Sequence, residues 1–263
     1  MNTSRNLEEI ENQTNLNLSS TQSAVSGDEI STNTLKSDVE IIGAFFNACN
    51  QRNLEDAYNM LTDECKEQMY NSLEVFEQAY YNNVFNGEQK VYTVENWTGN
   101  TYKVDISEDI LSTGKSNDGY VKQDYVTVKD GKLNINNYIG YTQFNETTED
   151  DDISMTILAR NTYMDHEEYT IRVTNNKEQA IQLDGLSNVK SLHLEDSRGS
   201  TYSAYTNELT QAMLRVEPGE TKEVTIKFYS RYVTNKTIDY IVFSNLLVYN
   251  SQGSESEEFK ANV

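Results

Sequence analysis

The chain has 263 residues, with 42 Asp and Glu against 21 Lys and Arg, a formal net charge of −21, two Cys, two His, one Pro and eighteen Tyr. The length fits one large domain or two ordinary ones, and a hydrophobic content of 37% with 10% aromatics is low for a globular chain but too high for a wholly disordered one. Phosphate-neutralising proteins need clustered Lys and Arg, so the acid excess excludes nucleic acid and anionic membrane as partners, and no run of about 18 apolar residues offers a bilayer span.

From residue 1 to 37, Ser, Thr, Asn and Gln fill 20 of 37 positions without a sustained apolar period, which predicts a disordered polar tail. It also lacks the apolar stretch of a signal peptide, so any export signal or membrane tether is expected to lie outside this chain, upstream of residue 1. Ser37-Asp38-Val39-Glu40 fits a capping box, and Val39, Ile42, Phe45, Phe46 and Cys49 follow at helical spacing. Asn53 is expected to cap a second helix, Leu54 to Leu61, with Glu55 and Asp56 in the first turn, where the helix dipole favours acids. Glu64 to Tyr70 suggests another helix. Ser72 heads a last run through Leu73, Phe76, Ala79, Tyr80 and Val84 that ends at Asn86-Gly87.

After Gly87 the apolar period changes to two, over Lys90 to Glu95, Thr101 to Ile106, Tyr120 to Lys129 and Lys132 to Ile139, with Asp130-Gly131 as a hairpin turn between the last two. Helices followed by an antiparallel meander predict an α+β layer fold over residues 38–150. Two stretches carry a family resemblance: Phe45-Phe46-Asn47-Ala48-Cys49-Asn50-Gln51-Arg52-Asn53-Leu54-Glu55-Asp56-Ala57-Tyr58 and the hairpin Val126 to Ile135. In this order they resemble the NTF2-like, cystatin-type cone fold, in which helices cover one face of a curved sheet.

Thr147-Thr148-Glu149-Asp150-Asp151-Asp152 reads as a solvated linker, since it lacks both apolar periodicity and the alternating ligands with a Gly turn that a calcium loop needs. Beyond it, residues 151–263 carry short alternating runs: Met155 to Ala159, Tyr169 to Val173, Ala180 to Leu183, Ser191 to Leu194, Val224 to Phe228 and Asp239 to Phe243. They predict an all-β sandwich, with Glu217-Pro218-Gly219-Glu220 as a type II turn. Val173 to Asn176, Leu194 to Tyr202 and Leu214 to Lys222 resemble the immunoglobulin-like accessory sandwiches of Gram-positive surface proteins and lipoproteins. Thirty Asn and a single Pro suit AT-rich coding sequence, hence a low-GC bacterium.

Local signatures of chemistry are few. Cys49 and Cys65 lack C-x-x-C spacing, which leaves a disulfide or two free buried thiols open, and neither zinc nor another metal has a ligand set. His166, in Met164-Asp165-His166-Glu167-Glu168, is expected to be solvated, and His193 to face outward from its strand. No Ser-His-Asp or Cys-His set assembles, and phosphate loops, H-E-x-x-H and EF-hand patterns are missing, so neither a catalytic residue nor a cofactor is assigned. The cone resemblance implies a pocket in which enzymes of this shape place an Asp base beside a Tyr or Asp donor; here Tyr58, Tyr80, Tyr102, Asp105 and Tyr125 are its candidates, with Tyr81 and Asp124 nearby. Tyr202, Tyr205, Tyr229, Tyr232, Tyr240 and Tyr249 give the sandwich a tyrosine-rich character suited to recognition, although strand propensity explains most of them.

The expected function is therefore a non-catalytic extracellular or cell-surface binding or accessory protein of a low-GC Gram-positive bacterium, whose partner is a protein, a wall component or a small ligand. The resemblance also admits a VirB8-like component of a conjugative secretion system, or a small-molecule enzyme using the cone pocket. Net charge divides as −3, −12 and −6 over residues 1–37, 38–150 and 151–263, so any partner of the middle region is expected to be neutral, cationic or bridged by metal.

Overall fold

The computed structural model describes residues 24, 30–109, 120–188 and 190–263, so most of the expected tail lies outside the described residues. The protein is mainly antiparallel β-structure and divides into two compact units between Gly140 and Tyr141. No described helix is long and apolar enough to cross a membrane.

In the first unit, α1 (Thr32–Asn50) begins five residues before the expected start at Ser37. Ser31 supplies the cap, its Oγ accepting the Thr34 N–H at 3.1 Å, and Leu35 adds one more turn to the buried stripe. Ser37 and Glu40 therefore sit inside the helix. Helix α2 (Leu54–Asn59) follows, then α3 (Asp63–Met69), whose cap is Thr62, and α4 (Leu73–Phe76), capped by Ser72 as expected. Asn53 makes no side-chain cap hydrogen bond; its amide donates to Asp56 instead, at 2.5 Å. A π-helical turn (Glu77–Tyr81) and α5 (Asn82–Val84) extend α4, and Asn86 and Gly87, both at positive φ, end the run. The π turn places the adjacent Tyr80 and Tyr81 both in the interior.

Strands β1 (Lys90–Thr98), β2 (Thr101–Glu108), β3 (Tyr120–Lys129) and β4 (Lys132–Asn134) form one antiparallel meander. Asp130 and Gly131 have φ of 52° and 75°, the paired left-handed conformation of a two-residue hairpin turn. Pleating sends Tyr92, Val94 and Asn96, the opposed Ile106, Val104 and Tyr102, and then Asp124 and Val126 to one face. The helices cover that face: Phe46 stacks on Tyr92 with ring centres 4.5 Å apart. Gly43 of α1 has a reason to be glycine, because a Cβ there would lie 3.2 Å from the Tyr92 hydroxyl.

The acidic stretch expected to be a linker is a hairpin. Glu149 and Asp150 end β5 (Tyr138–Asp150), Asp151 and Asp152 turn the chain at φ of 42° and 65°, and β6 (Ile153–Tyr163) returns alongside. Asp tolerates the left-handed region, since its short side chain can bond locally, and so two Asp make a turn that usually announces itself by Gly.

The second unit stacks two sheets. One has the order β12-β7-β6-β5, with β7 (Glu167–Asn175) and β12 (Thr221–Phe228). The other has the order β10-β9-β13-β8-β11, with β14 added to β13; its strands are β8 (Ile181–Gln182), β9 (Leu192–Asp196), β10 (Thr201–Ser203), β11 (Arg215–Val216), β13 (Ile238–Asn250) and β14 (Gly253–Asn262). Met155, Ile157, Ile171, Val173, Val224, Ile226 and Phe228 of the first meet Leu192, Leu194, Ile241, Phe243, Leu246 and Phe259 of the second in one hydrophobic cluster, a β-sandwich core. At the Glu217–Glu220 turn Gly219 has φ of 72° and the Glu220 N–H bonds the Glu217 carbonyl at 3.0 Å, as expected.

Candidate functional site

Of the five pocket candidates of the first unit, Tyr58 and Tyr80 lie on helical elements, and Tyr102, Asp105 and Tyr125 divide between the two faces of the sheet. Asp105 and Tyr125 are on the face away from the helices. There Asp105 pairs with Lys103 at 3.1 Å and accepts from Gln123 at 2.9 Å, while Tyr125 meets Trp97 edge-on at 5.4 Å. The register separates them from the interior: Asp105 opposes Thr93 and Gln123, whereas the inward Val104 opposes Val94 and Asp124. Tyr58 is half-buried at the helical edge and donates to the Tyr70 carbonyl at 2.8 Å.

Tyr80 and Tyr102 do point inward, each to a different carboxylate. The Tyr102 hydroxyl donates to Asp38 at 2.7 Å and the Tyr80 hydroxyl to Asp124 at 2.9 Å. Asp124 is fully buried, and its second oxygen accepts the Asn137 N–H at 3.0 Å. Burial, then the Asp124 charge, push the Tyr80 phenol well above its ordinary pKa. An Asp–Tyr pair of this kind has the elements of acid–base chemistry, but a base needs a lone pair facing a substrate, and both Asp124 oxygens are engaged. Phe76 stacks on Tyr80 at 5.8 Å, Phe45, Tyr70 and Phe85 approach it at 6.0, 6.3 and 6.5 Å, and Lys122 lies 5.1 Å above its ring. The pair serves as a polar tie from the π turn to β3.

In the sandwich, Ser230 and Lys236 of the β12–β13 connection meet Glu167. Lys236 Nζ donates to Ser230 Oγ at 2.5 Å and to the Arg231 carbonyl at 2.7 Å, and pairs with Glu167 at 3.3 Å; Ser230 Oγ donates to the other Glu167 oxygen at 3.0 Å. Burial lowers the Lys236 pKa against the pull of Glu167. A serine beside such a lysine resembles a nucleophile with its base, but all three ammonium donors are committed and Ser230 has no exposed surface. Above the cluster, Asp196, Arg198, Tyr202, Val233 and Lys236 help line a hollow of about 150 Å³. Asp196 organises the β9–β10 hairpin: it accepts the Arg198 and Ser200 N–H groups at 3.0 and 2.8 Å and the Tyr202 hydroxyl at 2.8 Å.

One end of the sandwich carries an aromatic row that sequence reasoning did not assemble. Tyr163 closes β6 and stacks on His166 at 4.2 Å, His166 meets Tyr205 edge-on at 6.3 Å, and Tyr205 stacks on Tyr229 at 3.4 Å. His166, expected to be solvated, is instead buried, with Nδ1 2.7 Å from Asp165 and Nε2 3.5 Å from Glu168. His193 is half-buried, its Nδ1 2.9 Å from the Lys190 carbonyl. The available signal was the alternation at the end of β12, where Ile226 and Phe228 go inward and Lys227 and Tyr229 outward.

Cys49 and Cys65 are free and buried. Among the described residues no group of three or more His, Cys, Asp or Glu is placed to hold a metal ion.

No family model and no curated protein matches the chain. Among solved structures, a conserved hypothetical protein from Bacillus anthracis aligns at 11% identity with a TM-score of 0.27, over 44% of this chain and 95% of its own. An uncharacterized β-sandwich protein from Clostridium difficile aligns at 13% identity with a TM-score of 0.26, over 44% of this chain and 90% of its own. Likeness at that level carries no argument. The class of protein rests on the chain's own architecture, a helix-covered antiparallel sheet in one unit and a β-sandwich in the other.

Proposed function

We propose that this protein is a non-catalytic binding module of the bacterial cell surface, an NTF2-like cone joined in sequence to an immunoglobulin-like sandwich. The observation that carries the non-catalytic part is the Tyr80–Asp124 pair. Of the two acid–tyrosine couples that point into the first unit, it is the fully buried one, with both carboxylate oxygens bonded within the fold and four aromatic rings packed around it. The binding part is supported by the aromatic row at the sandwich end, because Tyr presents a large amphipathic area at low entropic cost. Acidity in every part of the chain favours neutral or cationic partners.

Protease treatment of intact cells tests the location. The protein should be degraded while a cytoplasmic marker survives; full protection in intact cells, with degradation only after lysis, would refute the surface reading.

A further inference from the structure

We propose that a hollow on the first unit binds a zwitterionic dipeptide, with Arg52 taking its carboxylate and Glu77 its ammonium. The hollow holds about 380 Å³, at the small end of ligand pockets, which run from about 300 to 1,000 Å³. Three unusual pieces of backbone meet there. Arg52 ends α1 in the left-handed conformation, with φ of 58°, and the Asn53 N–H behind it bonds the Ala48 carbonyl at 2.9 Å. That position is usually glycine, because a Cβ there costs about 1–2 kcal/mol. Asn86 and Gly87 are left-handed too, with φ of 48° and 76°. A Cβ on Gly87 would collide with the Arg52 guanidinium, whose Nη2 donates to the Gly87 carbonyl at 3.2 Å. Gly87 thus leaves the room in which that guanidinium is seated. The third piece is the π-helical turn, which brings Glu77 and Tyr81 to the hollow; single π turns inside helices are frequent at functional sites.

The charges around the hollow select the ligand. Arg52 and Glu77 line it without pairing with each other, and among the described residues neither has an ion-pair partner. The Gly87 carbonyl takes one guanidinium N–H, and the others remain to grip a carboxylate. Opposite charges held apart in one hollow match a ligand that carries both. An anion would meet Glu77 and the net charge of −12 over residues 38–150, while a cation would meet Arg52, so a molecule with both charges and no net charge fits best. The Asn82 and Asn86 side chains make no hydrogen bond among the described residues, and each amide offers donors and an acceptor to a peptide group. A dipeptide therefore uses more of the hollow than a free amino acid does. Leu54 and the buried Tyr81 supply apolar surface for its side chains.

This site lies in the other unit from the aromatic row, and its occupancy in the purified protein is independent of cellular location, so it and the surface-module reading can fail separately. The probe is L-alanyl-L-alanine, titrated into the whole protein and followed by amide NMR. The Asn86 and Gly87 resonances should shift saturably. N-acetyl-dialanine and dialanine amide, each missing one charge, should bind about tenfold more weakly, and L-alanine, with both charges but no peptide group, should also bind more weakly. Arg52→Gln should no longer distinguish dialanine from its amide, and Glu77→Gln should no longer distinguish it from the acetylated form. Glu77→Gln changes only an exposed side chain, so its outcome does not depend on how the fold tolerates a change at Arg52. No saturable shift with dialanine, full binding of either blocked form or of alanine, or undiminished discrimination in either variant would each overturn the proposal.

Discussion

Cys65 shows what a single buried residue does to the stability curve. Burial, opposed by a hydrogen bond from the backbone at Ile135, pushes its thiol from an ordinary value of 9.0 up to about 12; burial moves Cys49 in the same direction and lifts the Tyr92 hydroxyl to about 12. These groups stay protonated in the folded chain when they would ionise in the unfolded one. Between pH 9 and 12 unfolding therefore releases protons, and stability falls as pH rises through that window while being fully present below it. Each such group contributes a loss of about 1.4 kcal/mol per pH unit. Urea midpoints should decline steadily from pH 9 to 11, and less steeply in Cys65→Ala when each protein is compared with its own value at pH 8. A flat profile would contradict the burial of the thiols. Residue types alone favour free thiols over a disulfide without deciding between them, because the distance between Cys49 and Cys65 is a property of how α1 and α3 pack. The same holds for His166. Its polar neighbours in sequence suggested water, and only the packing of Tyr163 against the ring removes it from solvent.

At the level of elements, local chemistry was legible wherever a turn or cap used its usual residues. Ser72, Asp130-Gly131 and the Glu217–Glu220 turn sit where capping and turn rules place them. The rules failed at Asn53, which makes no side-chain cap hydrogen bond, and at two larger features. Helix α1 is capped by Ser31 rather than Ser37, because both serines are competent caps and the choice was made by Leu35 finding a core to enter. The acidic run became the β5–β6 turn because Asp151 and Asp152 adopt the left-handed conformation, which costs a residue with a Cβ about 1–2 kcal/mol. Asp152→Gly should therefore raise the thermal midpoint by a few degrees. Asp151 is left in place in this variant, since its carboxylate pairs with Lys177. The hairpin also predicts that limited proteolysis spares residues 147–152 in the native protein. An unchanged or lower midpoint for Asp152→Gly, or early cleavage in that segment, would argue that the turn is not formed.

For the whole molecule, the division falls between Gly140 and Tyr141, ten residues before the expected boundary, because β5, which runs to Asp150, is a strand of the sandwich paired with β6. Every member of the sandwich core, from Ile153 to Ala261, belongs to the second unit, so residues 141–263 should fold alone with a single cooperative thermal transition; a molten, non-cooperative fragment would mean that its core is incomplete. The acidity, the helical block followed by a meander, and the series of short strands were determined by sequence, since charge is additive and the periods of 3.6 and 2 are properties of local backbone geometry. Which tyrosines share a face was decided only by tertiary structure. Tyr80 reaches Asp124 across 44 residues and Tyr205 reaches Tyr229 across a strand pairing, whereas Asp105 and Tyr125 are turned away by strand register. Contacts between residues far apart in the chain depend on which strands pair and in which register, and that follows from the burial of whole sheet faces.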